Sequence, residues 1–287
     1  TLLIYHNKTS AFEIITAAGI TKIKVSSSAS IDYAYDDVKT INVETIKFDD
    51  QYIALDTALP SSNIIWGTSS SEDITDVTNG DDVIDSAGGD DKILDNGGDD
   101  TLAIFSNRSN FEIMTVAGIT KIYGDTYVSG IGYAYYGDII KTINVESIAF
   151  SDQTVTLDTT ISANTIYWSY TYASDSITGS DEVDLFDGSG GSDIIDGKGG
   201  NDTLAIFSNK ANFEVVTLAG LTKIYGLSYV SGLGSDYWLD TIRMTYVENI
   251  AFADQTMSVE TSHEGNWIAW GATYGTTING TDADDVI

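Results

Sequence analysis

The sequence predicts an all-β chain of repeated modules, each an antiparallel, strand-rich spacer followed by a short parallel β-roll. Three observations predict it. One long segment recurs three times, apolar residues within it alternate with a period of two, and a second stretch repeats every nine residues.

The recurrence sets the organisation. TLAIFSNRSNFEIMTVAGITKIYG from Thr101 returns as TLAIFSNKANFEVVTLAGLTKIYG from Thr203, and an earlier copy starts at Thr1. The later copies keep a register of 102 residues, which relates Phe105 to Phe207, Phe150 to Phe252 and Trp168 to Trp270. This places spacers at 1–66, 101–168 and 203–270, with rolls at 67–100 and 169–202 and the start of a third roll at 271–287.

The spacers read as sheet. Phe111, Ile113 and Thr115 share one phase, and the Val-Ala-Gly turn at Val116 leads to Thr120 and Ile122. Ile143 and Val145 lie in one phase and Ile148 and Phe150 in the other, so a bulge or bend is expected near Glu146. A hairpin is expected around Asp152 and Gln153, and likewise at Asp50 and Gln51 and at Asp254 and Gln255. Glu44, Glu146 and Glu248 also recur, and threefold recurrence on one chain favours a structural role over catalysis.

The second pattern has a period of nine. Asp73, Asp82, Asp91 and Asp100 are spaced by nine, each followed two residues later by Thr75, Ile84, Ile93 or Leu102. The same spacing relates Asp175, Asp184, Asp193 and Asp202, and Asp285 begins it again. One buried aliphatic and a Gly-rich turn per nine residues describe a short strand and a tight corner. Two such units close one turn of a parallel coil and set each loop above the loop eighteen residues earlier. Stacked carboxylates repel one another unless a cation lies between them. Calcium answers that need, because it accepts six to eight oxygen ligands in flexible geometry, and glycines let loop carbonyls turn inward. The nine Asp named here are therefore the candidate metal ligands, with Asp82 paired to Asp100 and Asp184 to Asp202 in the better-formed sites. The competing reading is a solvated acidic face on an ordinary solenoid.

GGDDKILDN, NGGDDTLAI and DGKGGNDTL resemble the RTX (repeats-in-toxin) nonapeptide G-G-x-G-x-D-x-U-x, a calcium-binding parallel β-helix repeat. Its first glycine is matched at Gly188 and Gly197, whereas Ser86 and Asp95 stand there in the first block. Ala173 and Glu182 replace turn glycines in the second. AIFSNRSNFEI and KTINVESIAFSDQTVTLD are similar to the spacers of large RTX proteins. The resemblance implies several bound calcium ions, bacterial type I secretion, and an extracellular or cell-surface setting. It also implies folding only where calcium is available, with affinities of roughly 10⁻⁴ to 10⁻³ M.

Two rolls of four nonapeptides give few turns each, so their ends must be covered by the flanking spacers, and the modules are expected to join as an elongated rod. Composition agrees with this class. With 13 Lys and Arg against 43 Asp and Glu, the 287 residues carry a net charge of -30, which argues against nucleic-acid binding and electrostatic membrane docking. There is no Cys for disulfides, thiolate chemistry or zinc, the two His are far apart, and no apolar run has the length of a membrane span. A hydrophobic content of 42% excludes a disordered acidic tail. No nucleophile elbow, P-loop or dinucleotide fingerprint is present, so no enzyme activity is expected.

The expected function is a non-catalytic, calcium-stiffened segment of a surface protein: an adhesin stalk, surface-layer component or extracellular fibre whose partners include further copies of itself. The alternatives are a calcium-dependent carbohydrate-recognition module for surface polysaccharide and a roll region attached to a secreted enzyme. Packing at the spacer–roll junction is the favoured account of Trp66, Trp168 and Trp270, and the tyrosine-rich stretches at Tyr167 and Tyr133 keep the carbohydrate reading open.

Overall fold

The computed structural model describes residues 1–4, 12–25, 37–60, 63–169, 173–262, 267–268 and 285–286. Among them there is no α-helix, only strands and four short 3-10 turns, and the chain divides into two units, Thr1–Thr160 and Ile161–Ile287.

In the first unit the roll comprises β-strands Asn63–Trp66 (β7), Asp73–Ile74 (β8), Asp82–Asp85 (β9), Lys92–Leu94 (β10) and Thr101–Ala103 (β11). Six spacer strands precede it: Leu2–Leu3 (β1), Phe12–Ala17 (β2), Ile20–Val25 (β3), Asp37–Thr40 (β4), Thr45–Lys47 (β5) and Tyr52–Ala54 (β6). Five follow: Phe111–Val116 (β12), Ile119–Gly124 (β13), Ile139–Ile143 (β14), Ser147–Ala149 (β15) and Thr154–Thr156 (β16). Roll strands alternate between two sheets, so each pairs in parallel with the strand one coil turn away. Thr101 faces Val83, Lys92 faces Asp73 and Asn63 faces Asp82. These offsets of 18 or 19 residues are the stacking expected from a nine-residue period.

The spacer does more than cover the roll. After an excursion from Ala103 to Ile139 the chain returns, and β14 and β15 lie parallel to β10 and β11, with Lys92 facing Lys141 and Thr101 facing Ser147. They form one further coil turn. Antiparallel strands then close both sheets: β13 and β12 beyond β14, and β16 beyond β15. A short solenoid whose stacking edge would otherwise expose unpaired N–H and C=O groups is finished this way. Val83, Ile84, Ile93, Leu102, Phe105 and Ile148 fill the space between the sheets.

The local turns follow from their residues. The β12–β13 hairpin has a two-residue loop, Ala117–Gly118, with φ of 50° and 84°, as the type I′ geometry of a twisted hairpin requires. The hairpin expected at Asp152 and Gln153 is present, with Phe150 N–H donating to the Gln153 carbonyl at 2.8 Å. The change of phase near Glu146 is not a bulge. Asn144, at φ 57°, turns the chain from one sheet into the other, so Ile143, Val145, Ile148 and Phe150 are all buried.

The first spacer has its own small core of Phe12, Ile23, Val25, Ile46 and Phe48. Its β2–β3 hairpin seats on the first roll, and Ala17 and Ile20 join that core.

The second unit repeats the plan with Thr165–Trp168 (β17), Ser176–Thr178 (β18), Asp184–Asp187 (β19), Ile194–Asp196 (β20) and Thr203–Ile206 (β21) as roll. Phe213–Leu218 (β22), Leu221–Gly226 (β23), Thr241–Thr245 (β24), Asn249–Phe252 (β25) and Thr256–Ser258 (β26) follow. Here β24 and β25 are the strands that extend the coil, parallel to β20 and β21. Two short strands, Trp267–Ile268 (β27) and Asp285–Val286 (β28), pair in parallel. The rest of the expected third roll lies outside the described residues.

Candidate metal centre

Parallel stacking brings the ninth-residue carboxylates into columns along the roll edges. Asp82 N–H donates to Asp100 Oδ1 at 2.7 Å, and Asp100 N–H to Glu146 Oε2 at 2.8 Å. The second unit repeats this column: Asp184 N–H to Asp202 Oδ1 and Asp202 N–H to Glu248 Oε2, both at 2.9 Å. On the opposite edge Asp91 Oδ1 accepts Glu72 N–H at 3.1 Å and Asp193 Oδ1 accepts Asp175 N–H at 2.9 Å. Asp138 and Asp240 continue that edge, accepting Gly89 and Gly191 N–H at 2.7 and 2.8 Å. One carboxylate oxygen thus satisfies the corner N–H that leaves the strand ladder.

The other oxygen is the informative one. Oδ2 of Asp91, Asp100, Asp175, Asp193 and Asp202, and Oδ1 of Asp95, are buried with no hydrogen-bond partner among the described residues. Burying an ionised carboxylate oxygen unpaired is costly, so each demands a proton or a cation. Asp82 and Asp184 differ, because loop groups cap their second oxygens: Thr78 N–H and Oγ1–H reach Asp82 Oδ2 at 2.7 and 2.9 Å, and Ser180 N–H reaches Asp184 Oδ2 at 2.6 Å. Oxygens of Asp82, Asp95 and Asp100, all three residues buried, lie within 4.8 Å of one another. Burial, the main cause in every case, raises Asp91 to about 8, Asp100 and Asp193 to about 7, and Asp202 to about 6. Asp95 adds to the shift at Asp100, and Asp175 and Asp240 to that at Asp193.

These donors fit a hard divalent cation. They are all oxygen, they lie at glycine-rich corners, and their unshared oxygens sit where the chain comes closest. A Cβ at Gly188 would stand 2.3 Å from Asp193 Oδ2, and one at Gly197 2.5 Å from Asp202 Oδ2. Glycine there keeps open the space beside the carboxylate. A bound calcium ion would supply the positive charge that the stacked carboxylates lack.

Of the expected ligands, the structure brings Asp82, Asp91, Asp100, Asp184, Asp193 and Asp202 into the columns and sets Asp175 at the end of one. Asp73 is exposed and faces Lys92, because the first turn is one residue longer and Glu72 takes the position over Asp91. The side chain of Asp285 lies outside the described residues. Sequence reasoning missed Asp95, Asp138 and Asp240, and set Glu146 and Glu248 aside as structural recurrences. The 102-residue recurrence of Glu146 was the available signal, but its place beside Asp100 follows only from the returning spacer.

Asp85, fully buried, is neutralised by the chain itself. Lys22 Nζ meets its Oδ1 at 2.8 Å and Lys39 Nζ its Oδ2 at 2.9 Å, the two lysines lying over the rings of Phe105 and Trp66 at 4.0 and 4.7 Å. Trp66 therefore helps seat spacer on roll. Trp270 lies outside the described residues. Asp152 and Asp254 accept Arg108 and Lys210 N–H at 2.9 and 2.8 Å, as hairpin residues.

No family model matches the chain, and no curated protein matches it. Among solved structures, the crystal structure of extracellular lipase LipA from Serratia marcescens is similar at 11% identity and a TM-score of 0.17. The match covers 67% of this chain and spans only 39% of the lipase. Among the described residues no helix is long and apolar enough to cross a membrane.

Proposed function

We propose that this chain is a calcium-binding structural region of the RTX type, belonging to a secreted or cell-surface bacterial protein, non-catalytic and stabilised by several calcium ions. One observation carries the reading: buried ninth-residue carboxylates give one oxygen to the neighbouring turn and leave the second unpaired. Repulsion among these groups opposes stacking in the absence of a cation, so the free energy of calcium binding contributes to folding. The net charge of -30 adds to this requirement. Asp100, Asp202, Asp91 and Asp193 are the central ligands, with Asp95, Glu146 and Glu248 completing the columns.

The test is native mass spectrometry of the calcium-loaded chain beside Asp100→Asn and Asp202→Asn. Each substitution should lower the number of bound ions. An unchanged count in both variants removes the assignment.

A second reading, calcium-dependent carbohydrate recognition, is favoured by two exposed aromatic pairs at equivalent positions. Tyr127 and Tyr136 meet edge to face at 5.5 Å, and Tyr229 and Trp238 at 5.6 Å. The Ala134 carbonyl, near the first pair, abuts Gly88 in a roll loop. Retention of the chain on immobilised polysaccharide, lost in Tyr127→Ala and Trp238→Ala, would support this reading over a purely structural one.

A further inference from the structure

The β2–β3 and β22–β23 hairpins are equivalent, yet their outer faces differ in what covers them. On the first, Ala17 pairs with Ile20, and Ile15 with Lys22 beside Lys39. On the later one, Leu218 pairs with Leu221, and Val216 with Lys223 beside Arg243. The first face is seated: Ala17 and Ile20 are buried in the roll core, Glu13 Oε2 accepts Ile131 N–H at 2.7 Å, and Lys22 and Lys39 hold Asp85. Among the described residues the later face is open: Leu218 is 77% exposed and Val216 51%, and Lys223 is exposed. The hairpin tips do not explain the difference, because Gly19 packs on the Ala58 backbone much as Gly220 packs on Ser262. Arg243, at the place of Lys39, carries a buried Nε–H with no hydrogen-bond acceptor among the described residues.

We infer that the outer face of β22–β24 is the docking surface for a further roll module of the same kind, received through a buried aspartate at the position Asp85 holds in the first roll. Leu218, Leu221 and Val216 supply the apolar contact that Ala17, Ile20 and Ile15 make in the first unit. Lys223 and Arg243 supply the two cationic groups that a desolvated carboxylate needs. An exposed apolar face with a basic pair at its centre suits an acidic, apolar-edged roll and repels a basic partner. The inference rests on the modular reading and not on the cation, so chelation data and docking data fail independently.

The experiment uses the full chain with a second copy of residues 161–262 inserted after Ser262, the inserted copy carrying Lys223→Arg so that the original Lys223 is read alone. Asp187 of the insert then stands at the position of Asp85. Acylation of Lys223, followed by mass spectrometry, should slow at least tenfold relative to the parent chain and recover when the insert carries Asp187→Ala. Circular dichroism per residue equal to the parent's reports that the insert is folded. A folded insert beside an equally reactive Lys223 overturns the inference. So does loss of thermal stability on Leu218→Asp in the parent chain, which an open face should tolerate, whereas Ala17→Asp should destabilise the first unit.

Discussion

The two rolls build the same columns from different residues. Five positions before each stacked aspartate, the second roll has Gly179, Gly188 and Gly197, and the first has Val77, Ser86 and Asp95. The hydrogen bonds along the columns are nonetheless the same, so the ladder does not need glycine. What glycine controls is the space beside the unshared oxygen. In the second roll that space is left to backbone, whereas in the first Asp95 fills it with a third carboxylate. The comparison teaches that oxygen can be brought to a cation from the main chain or from a side chain, and that the second route concentrates more charge.

The largest expected effect removes the feature peculiar to the first roll. Asp85→Ala leaves two ammonium groups without their buried partner and should cost about 3–5 kcal/mol in chemical denaturation of the calcium-loaded first unit. Next, Gly197→Ala sets a Cβ 2.0 Å from the Tyr246 carbonyl and 2.5 Å from Asp202 Oδ2. It should cost about 1–3 kcal/mol and weaken ion binding in the second roll only, as calorimetric titration would report. Asp95→Gly, which makes the first roll resemble the second, should act in opposite senses. Stability without metal should rise because one buried charge is gone, and calcium affinity in that roll should fall.

Acidity sharpens the contrast. Asp91 and Asp100 in the first roll are raised to about 8 and 7, and Asp193 and Asp202 in the second to about 7 and 6. A carboxyl raised in the folded state favours the protonated fold. Its contribution is complete below the ordinary value near 3.8 and is lost as pH rises through the folded value. The metal-free chain should therefore be more stable at pH 5 than at pH 8, with the loss extending to higher pH in the first roll. Far-UV circular dichroism in chelator across that range checks it, with more β signal expected at pH 5 than at pH 8. The smallest effect concerns the ends of the columns: Asp175→Asn should lower the ion count, whereas Asp73→Asn should not.

Much of this was legible in the sequence. The coil followed from Asp and an aliphatic sharing one nine-residue period, and the hairpins from Ala-Gly and Asp-Gln turns. The return of β14 and β15 to the coil was not, because it pairs strands across the long excursion from Ala103, and local periodicity carries no record of that. Glu146 was hidden for the same reason. Asp73 stands outside the column, facing Lys92, because a turn one residue longer shifts the register without disturbing the spacing of the aspartates. Asp95 read as a departure from the glycine pattern, although it contributes a carboxylate to the cluster with Asp82 and Asp100.

The most direct measurement is far-UV circular dichroism of the chelated chain during calcium titration, with magnesium as control. Stacked carboxylates with unpaired second oxygens predict that at pH 8 β signal is weak in chelator, returns with calcium and returns far less with magnesium. Full β signal in chelator, or equal recovery with magnesium, would contradict the account.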